Sequence, residues 1–215
     1  MKNYRLYLFD FDYTLVNSEE GILKAFHRTL KKYQLQGVAD EKIKQTIGLP
    51  MEDAVSRITG LKSPEAVDLF IDDYRKIADR CMTPGTHFFP DTVATLRMLR
   101  AQGAKIGIIS SKTSGRIQEK FQRDDCTSLI DHIIGVEEVR APKPAPEGIE
   151  AALAYFSVPR EAALYTGDSR VDAEAAQNAG VDFAAVCTGT TPAETFEEFP
   201  HIKIMQHLGE LLTKD

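Results

Sequence analysis

Four carboxylates, four serine or threonine hydroxyls and two lysines in this chain stand past the ends of short apolar runs. Asp10 and Asp12 follow the first run in Asp10-Phe11-Asp12-Tyr13-Thr14. Ser110 and Ser111 close a second run and are followed by Lys112. Lys143 lies between prolines in Ala141-Pro142-Lys143-Pro144. Asp168 and Asp172 belong to Gly167-Asp168-Ser169-Arg170-Val171-Asp172. Carboxylates are hard donors for a small divalent cation, and they also serve as nucleophiles or general acids. A lysine is a point charge suited to an anion. Each piece alone has an ordinary reading. A lone D-x-D is usually a turn or a solvated strand end, and paired serines are usually turn chemistry. G-D-S before a helix is usually an N-cap. Their shared position gives them weight together, because open α/β sheets bind ligands beyond the carboxyl ends of their strands.

The elements that must position these groups follow from hydrophobic pattern. Residues 5–9 read as a strand. A long helical segment follows: 18–33 capped by Ser18, a short helix capped by Asp40, one with Pro50 in its first turn, and one opened by Ser63-Pro64. After Pro84 the pattern alternates. Helices are expected over 91–103 (capped by Asp91), 114–122, 146–156 and 170–179. Strands are expected over 105–110, 132–135, 163–166, 183–187 and 201–205. Such alternation predicts an α/β fold, a Rossmann-like, mainly parallel sheet covered on both faces. The domain reading is a core of residues 1–15 and 83–215 interrupted by an all-helical insert over 16–82.

Composition narrows the classes further. The chain has 215 residues and a net charge of −6, with 43% hydrophobic residues, enough for a packed interior. The segment 16–82 holds 11 basic and 11 acidic residues, so the negative charge resides in the rest. An acidic protein without a basic stripe is a poor partner for nucleic acid or an anionic membrane surface. No apolar run reaches the roughly 18 residues needed to span a bilayer. Cys81, Cys126 and Cys187 are far apart and odd in number, which favours a reducing cytoplasm over a disulfide framework.

Taken in order, these motifs resemble the haloacid dehalogenase superfamily of phosphotransferases across almost the whole chain. Asp10–Thr14 resembles its first motif, Ser110 its second, Lys143 its third and Gly167–Asp172 its fourth. The helical insert is similar to the small cap of the phosphoglycolate phosphatase and β-phosphoglucomutase subgroup. The resemblance implies a Mg2+-dependent phosphatase acting on a small phosphorylated metabolite through an aspartyl phosphate. Asp10 would be the nucleophile and Asp12 the general acid and base. Ser110 and Lys143 would hold the phosphoryl group, with Phe11, Ser111 and Thr14 contacting substrate. Asp10, Asp12, Asp168 and Asp172 would bind the metal, Asp12 through its backbone carbonyl. All-oxygen ligands favour Mg2+ over zinc. A monomer or homodimer is expected.

Two positions depart from the pattern: Tyr13 stands where the family usually has Gly, and Asp91 where the subgroup often has Gly. Asp12 argues against the metal-free dehalogenases, which lack a carboxylate there. A sugar-phosphate mutase, a pyrophosphatase and a catalytically degenerate binding protein remain alternatives. A phosphoryl-receiving signalling module fits poorly, since it is shorter and has no insert after its first strand.

Overall fold

A computed structural model describes residues 2–35 and 37–213. Two compact units emerge, one of residues 1–16 and 88–215, the other Asn17–His87. The chain leaves and re-enters the first unit through two-residue strands, β2 (Val16–Asn17) and β3 (His87–Phe88).

The first unit is built on six strands: β1 (Leu6–Phe9), β4 (Lys105–Ile109), β5 (His132–Ile134), β6 (Ala163–Gly167), β7 (Asp182–Val186) and β8 (Lys203–Met205). Their order is β5-β4-β1-β6-β7-β8, and every pairing is parallel. Among the described residues five helices accompany them: α5 (Thr92–Ala101), α6 (Ser114–Arg123), α7 (Glu147–Phe156), α8 (Arg170–Ala179) and the single turn α9 (Ala193–Phe196). This is the expected Rossmann-like α/β core. Parallel strands buried on both faces need apolar side chains on both, and the two-residue period of a strand divides them. Tyr7, Phe9, Ile106 and Ile108 enter one core with Leu96, Leu99, Ile117 and Phe121. Leu6, Leu8, Tyr165 and Phe183 enter the other with Ile149, Leu153 and the alanines of α8.

Register then fixes the rim. Phe9 pairs with Ile108 on one side and Thr166 on the other. Asp10, Ser110 and Asp168 therefore leave the central strands within one residue of the same level. The chain lies on opposite sides of β1 before and after β5, which is where α/β sheets open a crevice.

The second unit contains α1 (Glu19–Lys32), α2 (Asp40–Lys44), α3 (Met51–Thr59) and α4 (Pro64–Ala78). Phe26, Leu30, Val55, Phe70 and Tyr74 make its core. Four expectations about helix starts are corrected. Ser18 occupies the cap position of α1, but its hydroxyl makes no capping bond; Asn17 Oδ1 accepts from the Glu19 amide at 3.0 Å instead. Asp40 is the first helical residue of α2, after Ala39, and Pro50 stands at the cap of α3 rather than inside its first turn. Asp91 flanks α5, yet its carboxylate binds the Gly209 amide and His207, tying down the C-terminal turn. Ser63 does cap α4, accepting from the Ala66 amide. No helix among the described residues is long and apolar enough to cross a membrane.

Candidate active site

Asp10, Asp168 and Asp172 are buried together, each offering a carboxylate oxygen within 4.8 Å of the others. Asp10 is set by β1, whose ladder continues through the bond from its amide to Thr166 O (2.9 Å). Lys143 Nζ stands 3.0 Å from Asp10 Oδ1 and 2.6 Å from Asp172 Oδ1. The pair with Asp10 is not aligned as a hydrogen bond, so Oδ1 is a buried carboxylate oxygen with no directed donor among the described residues.

Asp172 carries two duties. It caps α8, accepting through Oδ2 from the Ser169 amide (3.1 Å) and hydroxyl (2.5 Å), while Ser169 Oγ accepts from the Asp172 amide. Its other oxygen accepts from Lys143 and from the Tyr165 hydroxyl (2.8 Å). The ordinary reading of G-D-S as a helix cap therefore holds, and the same carboxylate faces Lys143. Gly167 is required here, because a Cβ would overlap the Asp172 carboxylate.

Asp168 accepts from the Thr14 hydroxyl at 2.9 Å. Thr14 thus sits behind an acidic group, where its side chain orients that carboxylate. Phe11, at the other side of the motif, packs its ring into the core against Phe121. The residue is buried. Tyr13 adopts φ 61°, the left-handed conformation that the family's Gly would supply freely. Its carbonyl accepts from the Thr188 hydroxyl.

Lys143 is held by its loop. Glu147, in the first turn of α7, accepts from the Arg140 and Ala141 amides, both at 3.0 Å, and Asn178 donates to Pro144 O at 2.9 Å. On the neighbouring strand the Ser110 amide bonds Ile134 O, and Ser110 Oγ accepts from the Lys112 amide at 3.3 Å. Ser111 follows at the same rim.

The electrostatics follow from crowding. Burial pushes Asp10 up to about 6; Lys143 opposes this, while Asp172 and Asp12 add to it. Asp168 is raised well above the carboxylate range, chiefly by burial and then by Asp172 and Asp10. Burial works against the Lys143 charge, but Asp10 and Asp172 outweigh it and hold the ammonium above its usual range. Three carboxylates around one ammonium leave an excess of negative charge that a divalent cation would balance. The donor set is all oxygen, and Asp10 presents an undirected one. These residues fit a hard cation such as Mg2+.

Asp12 stands apart from this trio. Both its oxygens are gripped by Lys112 Nζ, at 2.9 and 2.8 Å.

Three residues at the site escape sequence reasoning. Tyr165 reads only as a strand residue, yet its hydroxyl joins Lys143 and Asp172. Lys112 was visible as the residue after Ser110-Ser111, but nothing in the sequence shows that it reaches Asp12. Gly189 follows β7, and an added Cβ there would overlap Asp168. The end of that strand carried no motif to draw attention.

The family model of the haloacid dehalogenase-like hydrolases matches residues 7–186, and the chain belongs to that family. Its activity class is that of a phosphatase. Over 179 residues it is 31% identical to pyrophosphatase PpaX of Bacillus cereus (strain B4264), covering 83% of this chain and 81% of that one. A crystal structure from Bacteroides fragilis, described as a haloacid dehalogenase-like hydrolase, is 41% identical with a TM-score of 0.95, covering 98% of this chain and 100% of that one. A structure named for phosphoglycolate phosphatase, from Lactobacillus plantarum, gives a TM-score of 0.87 at 21% identity over 98% and 99% of the two chains. That last likeness is one of fold.

Proposed function

We propose that this protein hydrolyses a small phosphorylated metabolite in a Mg2+-dependent reaction with Asp10 as nucleophile. The observation that carries the reading is the undirected Asp10 carboxylate oxygen, buried beside Lys143 at the rim shared by Ser110, Asp168 and Asp172. Asp10, Asp168 and the backbone carbonyl of Asp12 would hold the cation, with Asp172 beside them. Bound there, it would shield the attacking carboxylate from the anionic phosphoryl group.

The chain's own groups do the rest. Lys143 neutralises charge on the transferring oxygens and is kept in place by Asp172 and Tyr165. Ser110 donates its hydroxyl to the phosphoryl group, with backbone amides at Phe11 and Ser111 adding further donors. Asp10 attacks phosphorus in line as the bond to the leaving oxygen breaks, giving an aspartyl phosphate. Asp12 gives a proton to the leaving oxygen, then takes one from the water that cleaves the acyl phosphate. Thr14 keeps Asp168 oriented.

A phosphoglycolate-like monoester is the leading substrate type. Pyrophosphate is the alternative, favoured by the PpaX relatives. The test is phosphate release from phosphoglycolate, pyrophosphate, hexose phosphates and an aryl phosphate, with Mg2+ and again with excess chelator. Release that the chelator abolishes supports the reading. Release unaffected by the chelator would overturn the metal dependence, and binding of these compounds without release would leave a degenerate member.

A further inference from the structure

We infer that Lys112 selects substrates whose leaving group is itself an anion, with negative charge close to the scissile oxygen. The inference rests on the roles proposed above for Asp10 and Asp12.

Lys112 is a built feature of the rim. Its ammonium reaches both oxygens of Asp12, and its side chain is only 9% exposed. It lies 5.9 Å from the centre of the Phe11 ring. Its amide bonds Ser110 Oγ, and the next turn is pinned by Glu137, which accepts from the Ser114 amide at 2.8 Å and hydroxyl at 2.7 Å. A lysine drawn down in this way is costly to bury as a charge unless that charge has partners.

The place of that charge decides its consequence. Asp12 must reach the leaving oxygen to protonate it, so the leaving oxygen comes within one hydrogen bond of a carboxylate that Lys112 already touches. The ammonium then stands no farther than about two hydrogen-bond lengths, roughly 6 Å, from the leaving oxygen. Lys143 stands between Asp10 and Asp172, on the side of the transferring phosphoryl. Lys112 is thus placed for the other half of the substrate. A phosphate or carboxylate next to the scissile oxygen gains from it, whereas an uncharged alcohol does not.

In the step itself, an Asp10 oxygen forms the new bond to phosphorus. The bond from phosphorus to the leaving oxygen breaks, and its electron pair stays on that oxygen, which takes the Asp12 proton. Water then releases phosphate from Asp10 and returns a proton to Asp12. Lys112 takes no part in bond making. Its contribution is binding energy available only to an anionic leaving group.

The test compares phosphoglycolate with ethyl phosphate, which has the same two-carbon skeleton without the carboxylate, and adds inorganic pyrophosphate. The reading is the ratio of kcat/KM values, measured with Mg2+ for wild type, Lys112→Gln and Lys112→Arg. Wild type is expected to prefer the anionic leaving groups by about tenfold or more, Lys112→Gln to lose at least about tenfold of that preference, and Lys112→Arg to keep most of it. A ratio is indifferent to how much of a variant folds. A Lys112→Gln ratio equal to wild type, even with both rates depressed, would overturn the inference and leave Lys112 as a holder of Asp12. A wild type with no preference for anionic leaving groups would overturn it as well. A wild type that releases phosphate from none of them would instead sink the proposed function and take this inference with it.

Discussion

Gly189 leaves no room for a side chain beside Asp168: a Cβ there would overlap Oδ2 and stand 2.8 Å from Cγ. The loop after β7 therefore sets where the Asp168 carboxylate can lie, while Thr14 fixes it from the other side. Gly189→Ala should push the carboxylate out of the acidic cluster. The expected result is a loss of at least about tenfold in Mg2+-dependent kcat/KM, corresponding to about 1.4 kcal/mol. Steady-state kinetics over a Mg2+ titration would check it, and unchanged Mg2+ dependence would show that the loop yields without moving Asp168.

Tyr165→Phe removes a buried hydroxyl that contacts Asp172 and Lys143. Asp172 keeps its bonds to Lys143 and Ser169, so the network survives with one donor fewer. A loss of about 1.5–3 kcal/mol in unfolding free energy is expected, the range for a hydrogen bond to a charged acceptor. A several-fold drop in kcat should accompany it, since Lys143 loses one of the groups that place it. Denaturant unfolding and kinetics on the same preparation would separate the two effects.

The sequence made the strands and the four acidic positions legible for a physical reason. Parallel strands buried on both faces are short unbroken apolar runs, and an acidic residue ending such a run marks the rim. Asp10 and Asp168 announced themselves that way, and Ser110 did so as a hydroxyl ending its run. Partners brought together by tertiary packing gave no such signal. Tyr165 is an apolar-looking strand residue whose hydroxyl matters only because β6 lies beside the Lys143 loop. The reach from Lys112 to Asp12 depends on β4 lying next to β1. Capping held at Ser63 but not at Ser18, Asp40 and Asp91: these have the right chemistry, but neighbouring Asn17, a one-residue shift and the distant C-terminal turn decided their bonds.

Proton linkage makes the cluster's charge measurable. Asp10 titrates near 6, above its ordinary 3.8, because burial disfavours the carboxylate more than Lys143 favours it. Its contribution to stability is therefore full at acid pH and lost as pH rises through about 6. A divalent cation needs the ionised form and should reverse that loss. The rise in Tm on adding Mg2+ is expected to be larger at about pH 7.5 than at about pH 5. Asp10→Asn should flatten the difference. Equal Mg2+ shifts at both pH values, by differential scanning fluorimetry, would contradict the assignment of this cluster to the cation.

The helical insert has its own core, and its cost of disruption is predictable. Phe70 is fully buried between Phe26 and Tyr33, with ring centroids 6.4 and 4.9 Å away. Phe70→Ala should destabilise the insert by about 3–5 kcal/mol through lost transfer energy and a residual cavity. Hydrogen exchange would locate the loss: amides of α1 and α4 should lose protection while those of β1 and β6 keep theirs. Protection lost equally across all four would show that the two units unfold as one.

The central claim is that Asp10 carries the phosphoryl group. The direct measurement is to quench the enzyme with substrate and Mg2+ during turnover, reduce with borohydride, and sequence the peptides by mass spectrometry. An acyl phosphate is reduced to the alcohol, so homoserine should appear at position 10, and Asp10→Asn should give neither the product nor turnover. Phosphate release by Asp10→Asn at near wild-type rate, or reduction at another aspartate, would contradict the account.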